Sequence, residues 1–160
     1  MCRWGFMLMP DPAAAFRETR RILKPGGRLA FAVFTAPAEN PWVSTPVSVL
    51  REAGHLPPPS EQWQPGILAL ADRARLQTLV EGAGFRLTLE PISMAWTFAS
   101  ADDYWTFLVE LTALGPVFRG LPAAASDAVR AAIEARLAAY TGAGGALTLP
   151  AKCWAGLAIR

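Results

Sequence analysis

An α/β architecture with a helical insertion before its last strand is what this 160-residue chain predicts. Three observations carry that expectation. An amphipathic run beginning at Asp11 ends in Pro25-Gly26-Gly27 and leads at once into a short apolar segment, Arg28 to Phe34. A second helical pattern, from Asp72 to Gly84, leads into the alternating segment Phe85 to Glu90. Two further helical patterns then fill 99–142 before a final apolar stretch. Helices and strands in alternation build a sheet covered by helices rather than a meander.

In the first helix, Asp11 is placed to accept a backbone N–H as N-cap and Pro12 fits the first helical position. Phe16, Thr19 and Leu23, with Ala15 and Ile22, make its buried face. Arg20, Arg21 and Lys24 bring cations to the end where the helix dipole is negative. Pro25 presets the first central φ of a tight turn and Gly26 supplies the positive φ that a type II turn needs next. The strand Arg28 to Phe34 is apolar on both alternating faces, Leu29, Phe31 and Val33 against Ala30, Ala32 and Phe34. That pattern predicts a parallel-type strand with helices over both faces.

Asn40 to Ala53 reads as a short helix, and Gly54 to Gly66 as loop because of its prolines and polar residues. Asp72 caps the next helix, with Leu76, Leu79, Val80 and Ala83 on one face and Gly84 closing it. Strict alternation from Phe85 to Glu90 predicts a strand with one wet face, near a sheet edge. Ser100 with Asp103 forms a capping box ahead of Tyr104, Trp105, Leu108 and Leu111. Ser126 opens a second helical run through Val129, Ile133, Leu137 and Tyr140, which Thr141 to Gly145 ends. Leu147 to Leu149 and Cys153 to Ile159 read as one strand, interrupted or entered at Pro150.

Composition excludes several classes of function. With 52% hydrophobic and 18% charged residues and a mean hydropathy of +0.26, the chain folds as one domain rather than staying disordered. Charged residues interrupt every apolar run before it reaches the length of a membrane span, and the N-terminus lacks a secretory pattern, so the cytoplasm is the expected location. A net charge of +2 gives no drive toward nucleic acid or anionic membranes. Cys2, Cys153 and the single histidine, His55, have no metal-ligand spacing, so no metal is expected. His55 lies in the breaker-rich segment 54–59 and reads as a solvated loop residue rather than a general base.

No catalytic residue emerges from spacing. Gly142-Ala143-Gly144-Gly145 follows a helix and precedes a strand, the reverse of a phosphate-cradling loop. Asp102, Asp103, Asp127 and Glu134 sit at helix starts or on exposed helical positions. The basic cluster Arg17, Arg20, Arg21, Lys24 and Arg28 reads as a solvated, dipole-compensating face. Aromatic residues are more informative: Trp96, Phe98, Tyr104, Trp105, Phe107 and Phe118 crowd one region, where they fill a core or line an apolar pocket.

The string Trp4 to Phe34, and within it Arg21-Ile22-Leu23-Lys24-Pro25-Gly26-Gly27-Arg28-Leu29, resembles the second half of a class I S-adenosylmethionine-dependent methyltransferase of the ubiquinone/menaquinone-biosynthesis-like, type 11 group. Glu81-Gly82-Ala83-Gly84-Phe85 is similar to that family's next helix–strand unit, and Leu147 to Arg160 to its last, antiparallel strand. The resemblance covers nearly the whole chain, 1–160, with 99–142 as a family-style helical insertion. It implies a partial doubly wound, Rossmann-like sheet built of the C-terminal strands. It also implies S-adenosylmethionine as cofactor and a small-molecule methyl acceptor. On this likeness Cys2, Arg3, Trp4 and Gly5 lie beside the methionine end of the cofactor, and Trp96, Tyr104, Trp105 and Phe118 border the acceptor.

That family binds its cofactor chiefly through a glycine-rich loop after the first strand, an acidic residue ending the second and a further acidic segment, none of which this chain contains. The resemblance therefore implies an enzyme incomplete on its own, pairing through an exposed strand edge as a homo-oligomer or with a chain that supplies the N-terminal half. The alternative is a non-catalytic small-ligand-binding or interaction module derived from the same fold. A sulfonium methyl is already activated, so the absence of a catalytic dyad fits the first reading.

Overall fold

The computed structural model describes residues 1–60 and 62–160. Its four strands are β1 (Cys2–Arg3), β2 (Arg28–Phe34), β3 (Arg86–Phe98) and β4 (Leu147–Ile159), in the sheet order β1-β2-β4-β3. The helices are α1 (Pro12–Ile22), α2 (Pro41–Glu52), α3 (Arg73–Gly82), α4 (Ala101–Leu111), α5 (Gly115–Arg119) and α6 (Ala123–Leu137). β1 runs parallel to β2, and β4 runs antiparallel to β2 with Phe31 opposite Gly156. This is the predicted α/β, Rossmann-like arrangement, with helices α4 to α6 inserted before the last strand. The chain divides into two units: 1–40, 60–94 and 151–160 form the first, and 41–59 with 95–150 the second.

In the first unit the local signals act as read. The Asp11 carboxylate accepts the Ala14 N–H at 2.8 Å and that of Asp72 accepts the Arg75 N–H at 2.6 Å. Gly26 adopts φ 75°, and the turn is pinned by the chain end, Gly26 N–H donating to the Arg160 carbonyl and Arg160 N–H to that of Gly27. The basic residues of α1 are spent locally: Arg17 lies 3.9 Å from Asp11, Arg21 pairs with Glu18, and Arg20 donates to the Gly84 carbonyl. Ile22 departs from expectation, being 66% exposed. Six residues past the fully buried Phe16 it lies about 240° around the helix and so misses the core face.

One face of the β2–β4 pair carries Leu29, Phe31 and Val33 opposite Ala158, Gly156 and Trp154, and most of it is buried. Phe16 from α1 packs edge-on against Phe31 at 5.5 Å, and the Trp154 indole donates to the Ala71 carbonyl just ahead of α3. The other face is covered only at one end, where Phe34 and Cys153 are buried. Ala30 and its partner Leu157 are exposed, so the expectation of helices over both faces of β2 is corrected. Alternating apolarity was the signal for double burial, and alanine satisfies that signal without requiring a cover.

Three further boundaries differ from the reading. β3 continues through Pro91 to Phe98 instead of stopping at Glu90, which an edge strand permits because one row of its N–H groups has no ladder partner to lose. β4 is continuous through Pro150, a residue outside the segment Cys153 to Ile159 that pairs with β2. In the second unit α6 starts at Ala123, three residues before Ser126, and the short α5 precedes it. Runs of alanine give no periodic mark from which to read such a start.

Gly156 shows why a strand interior tolerates glycine. The Phe31 ring lies across it, so that an added Cβ would sit 2.3 Å from Cζ. Gly156→Ala is expected to destabilise the chain: overpacking costs about 1–3 kcal/mol, against a gain of roughly 0.4–1 kcal/mol from the lost chain entropy of glycine. The melting temperature should fall by several degrees. A rise instead would show that Phe31 yields freely.

Candidate functional site

Two clusters of sequence-selected residues emerge, one in each unit. In the first unit the chain leaves β1 through Trp4, whose φ of 65° is in the left-handed region. A bulky residue there costs about 1–2 kcal/mol and persists only where its surroundings impose it. The surroundings are visible. Trp4 N–H donates to the Ala32 carbonyl at 3.1 Å, and the indole stacks on Phe34 with centroids 4.1 Å apart and planes 5° from parallel. Gly5 follows in a turn so tight that a Cβ would meet the Cys2 sulfur at 2.6 Å. Cys2, Arg3, Trp4 and Gly5 thus stand together at the carboxyl ends of the parallel pair β1–β2, the location where open α/β sheets take their ligands.

That end of β2 is held by a buried polar knot that sequence reasoning missed. Asn40 Nδ2 donates toward the carbonyls of Thr35, Ala36 and Lys152 and the Thr35 hydroxyl, at 3.1–3.2 Å, while Oδ1 accepts the Lys152 N–H at 3.0 Å. The Thr35 hydroxyl donates to the Lys152 carbonyl, and the Lys152 ammonium lies 2.6 Å from Glu39. The hydrogen bond from the Lys152 ammonium, above all, holds the Glu39 carboxyl below its ordinary pKa. Every member is engaged, so the knot positions the loop after β2 rather than offering a reactive group.

In the second unit, Trp96 and Tyr104 fall into one aromatic cluster with Trp42, Phe98 and Phe107. Trp96 lies 5.1 Å from Trp42 and 5.7 Å from Phe107, and Phe98 lies 5.0 Å from Tyr104, ring centre to ring centre. Trp105 and Phe118, predicted for the same pocket, form a separate edge-to-face pair at 5.0 Å, with the Arg130 guanidinium 5.7 Å from the Trp105 ring. Adjacent residues on a helix diverge by about 100°, so Tyr104 and Trp105 serve different faces of α4. Trp42 was missed because it precedes its partners by more than fifty residues, which leaves no local signal.

Two of the cluster's polar groups stand out. The Tyr104 hydroxyl donates to the Trp42 carbonyl at 2.7 Å, and burial pushes its pKa up, so it holds its proton at neutral pH. The Trp96 Nε1 is buried and has no hydrogen-bond partner, a state that costs about 1–3 kcal/mol. Elsewhere in this unit a groove of about 380 Å³ between α2 and α6 is floored by Val49, Ala128, Val129 and Ala132, with half-buried His55 at its rim. Its Arg136 is already paired with Glu52 at 2.5 Å. Among the described residues no three His, Cys, Asp or Glu side chains are grouped to hold a metal, and no helix is long and apolar enough to cross a membrane.

A family model described as a methyltransferase domain matches residues 1–31. Among solved structures, a candidate methyltransferase from Bacillus halodurans C-125 superposes with a TM-score of 0.51 at 18% identity. The YcgJ protein of Bacillus subtilis does so with a TM-score of 0.55 at 14% identity. In both cases 99% of this chain is covered but 62% of the other, so the chain spans less than two thirds of the length of these neighbours. No curated protein matches. At these identities the likeness establishes the fold.

Proposed function

We propose that the chain is the C-terminal part of an S-adenosylmethionine-dependent methyltransferase that acts on a small molecule. The observation that carries the reading is the left-handed Trp4, stacked on Phe34 at the carboxyl ends of β1 and β2, with Trp4 itself inside the segment 1–31 that matches the methyltransferase domain model. The residues there suit one end of the cofactor. Cys2, Arg3, Trp4 and Gly5 would hold its methionyl portion, the half-buried indole offering an aromatic surface to a sulfonium cation. Among the described residues no strand runs through a glycine-rich loop into an α-helix, so the rest of the cofactor needs groups from elsewhere.

When bound, S-adenosylmethionine supplies a methyl group already activated on sulfur. The work left to this chain is orientation and exclusion of water. Tyr104, with its proton retained and its hydroxyl committed to the Trp42 carbonyl, offers no base.

The partner reading is a proposal too. β1, two residues long and at the edge of the sheet, supports pairing with a second copy or with a chain bearing the N-terminal strands. Light scattering should find an assembly, and a stable monomer would refute it. Calorimetric titration of the same sample with S-adenosylmethionine should saturate near one equivalent per chain, with Trp4→Ala weakening binding about tenfold or more. A folded sample that gives no binding heat would sink the enzyme reading in favour of a non-catalytic binding module.

A further inference from the structure

The last rung of the β2–β4 ladder carries a side chain in place of a backbone bond. The antiparallel register that sets Phe34 opposite Cys153 brings Thr35 opposite Lys152. Residues paired in this way exchange two backbone hydrogen bonds. One of them is made, Thr35 N–H to the Lys152 carbonyl at 3.0 Å. Where the return bond would lie, the Asn40 carboxamide stands between the strands: the Lys152 N–H donates to Oδ1 at 3.0 Å, and Nδ2 donates toward the Thr35 carbonyl at 3.2 Å. At the other end of the ladder the equivalent bond, Arg160 N–H to the Gly27 carbonyl, is direct at 2.9 Å. An amide inserted into a rung spans more distance than one direct bond, so Asn40 holds β2 open from β4 at its carboxyl end.

We propose that Asn40 is a positioning residue for the site at Trp4, because the rung it wedges open sets the stance of Phe34. Phe34 is joined to Thr35 by one peptide bond, so a shift of Thr35 toward Lys152 reaches it directly. Trp4 holds its left-handed backbone only while the Phe34 ring, 4.1 Å away, and the Ala32 carbonyl hold it there. Asn40 is itself fully buried and acts only through the ring it places. That this ring pair serves the sulfonium of S-adenosylmethionine rests on the reading proposed above, whereas the positioning of Trp4 does not.

The test reads the stack by proton NMR of the intact chain. The Trp4 indole protons, assigned by their loss in Trp4→Phe, should lie upfield of those of an unstacked tryptophan because the Phe34 ring faces them. Asn40→Ala should remove most of that shift. Leu76→Ala, a truncation at a fully buried position of α3, should melt early yet keep it, which separates positioning from loss of stability. Should Asn40→Ala fail to fold, Asn40→Gln decides: it keeps both ends of the amide, lengthens the bridge by one methylene, and must move the Trp4 signals. No upfield shift in the native chain, a shift unchanged in the deciding variant, or equal loss in Leu76→Ala overturns the proposal. In calorimetric titration with S-adenosylmethionine, the deciding variant should bind about tenfold more weakly than the native chain. Combined with Trp4→Ala it should cost nothing beyond Trp4→Ala alone, and additive losses would refute the route through Trp4. A stack that depends on Asn40 in a chain blind to S-adenosylmethionine would remove the methyl-transfer reading and leave the positioning role standing. Binding with a stack indifferent to Asn40 would do the reverse.

Discussion

Phe16→Ala is expected to lower the stability of the chain by about 4 kcal/mol, within the range for truncating a fully buried phenylalanine. Phe16 has no exposed surface, stacks on Phe6 with ring centres 4.0 Å apart, and meets Phe31 edge-on. Its removal deletes the transfer energy of the ring, opens a cavity between α1 and β2, and leaves Phe6 and Phe31 without their shared neighbour. Against a total stability of roughly 5–15 kcal/mol the loss is large. Thermal melting followed by circular dichroism should show a fall of roughly 8–16 °C. Ile22→Ala, on the same helix but off the core face, should change stability by less than about 0.5 kcal/mol. If the two substitutions cost the same, the orientation of α1 described here is wrong.

The contrast between those two residues also measures how far a sequence can be read. Signals confined to a few neighbours were legible: the Asp11 and Asp72 caps, the Pro25-Gly26-Gly27 turn and the Ser100 cap that accepts the Asp103 N–H each follow from the preferences of four or five residues. Ile22 was misplaced by treating a neighbour of the stripe as part of it. The Trp4–Phe34 stack, Trp42 in the aromatic cluster and the Asn40 knot lie beyond such reading. Asn40 finds Lys152 across 112 positions, and nothing near either residue announces the other. For the candidate sites, the Cys2 to Gly5 turn was found through family resemblance and not through local chemistry. The four aromatic residues chosen for one pocket divide between two faces of α4 because proximity in sequence was taken for proximity in space.

Asn40 yields the second large effect. Its amide has two hydrogens, so the four acceptors within 3.2 Å share them, and with Oδ1 accepting from Lys152 the side chain sustains about three effective hydrogen bonds. Asn40→Ala leaves the Lys152 N–H without its acceptor and deprives buried carbonyls of a donor, for an expected loss of about 3 kcal/mol. Asn40→Asp separates shape from hydrogen bonding. It keeps the acceptor for Lys152 but turns a carboxylate oxygen toward the carbonyls of Thr35 and Lys152, so at pH 7 it should be at least as damaging as alanine. The neighbouring ion pair, Lys152 with Glu39, is already formed and offers little relief. Burial against carbonyl oxygens raises the folded-state pKa of the new carboxyl above its unfolded value of about 3.9. The protonated form restores a donor. The part of the penalty due to ionisation is therefore absent below about pH 4 and grows as pH rises through the interval between the two pKa values. Urea unfolding of the Asn40→Asp variant and of the native chain at pH 4 and pH 7 should show the gap between them widening with pH. A gap that narrows instead would mean that Asn40 is not held by the donors of its amide, and the end of β2 would need another anchor.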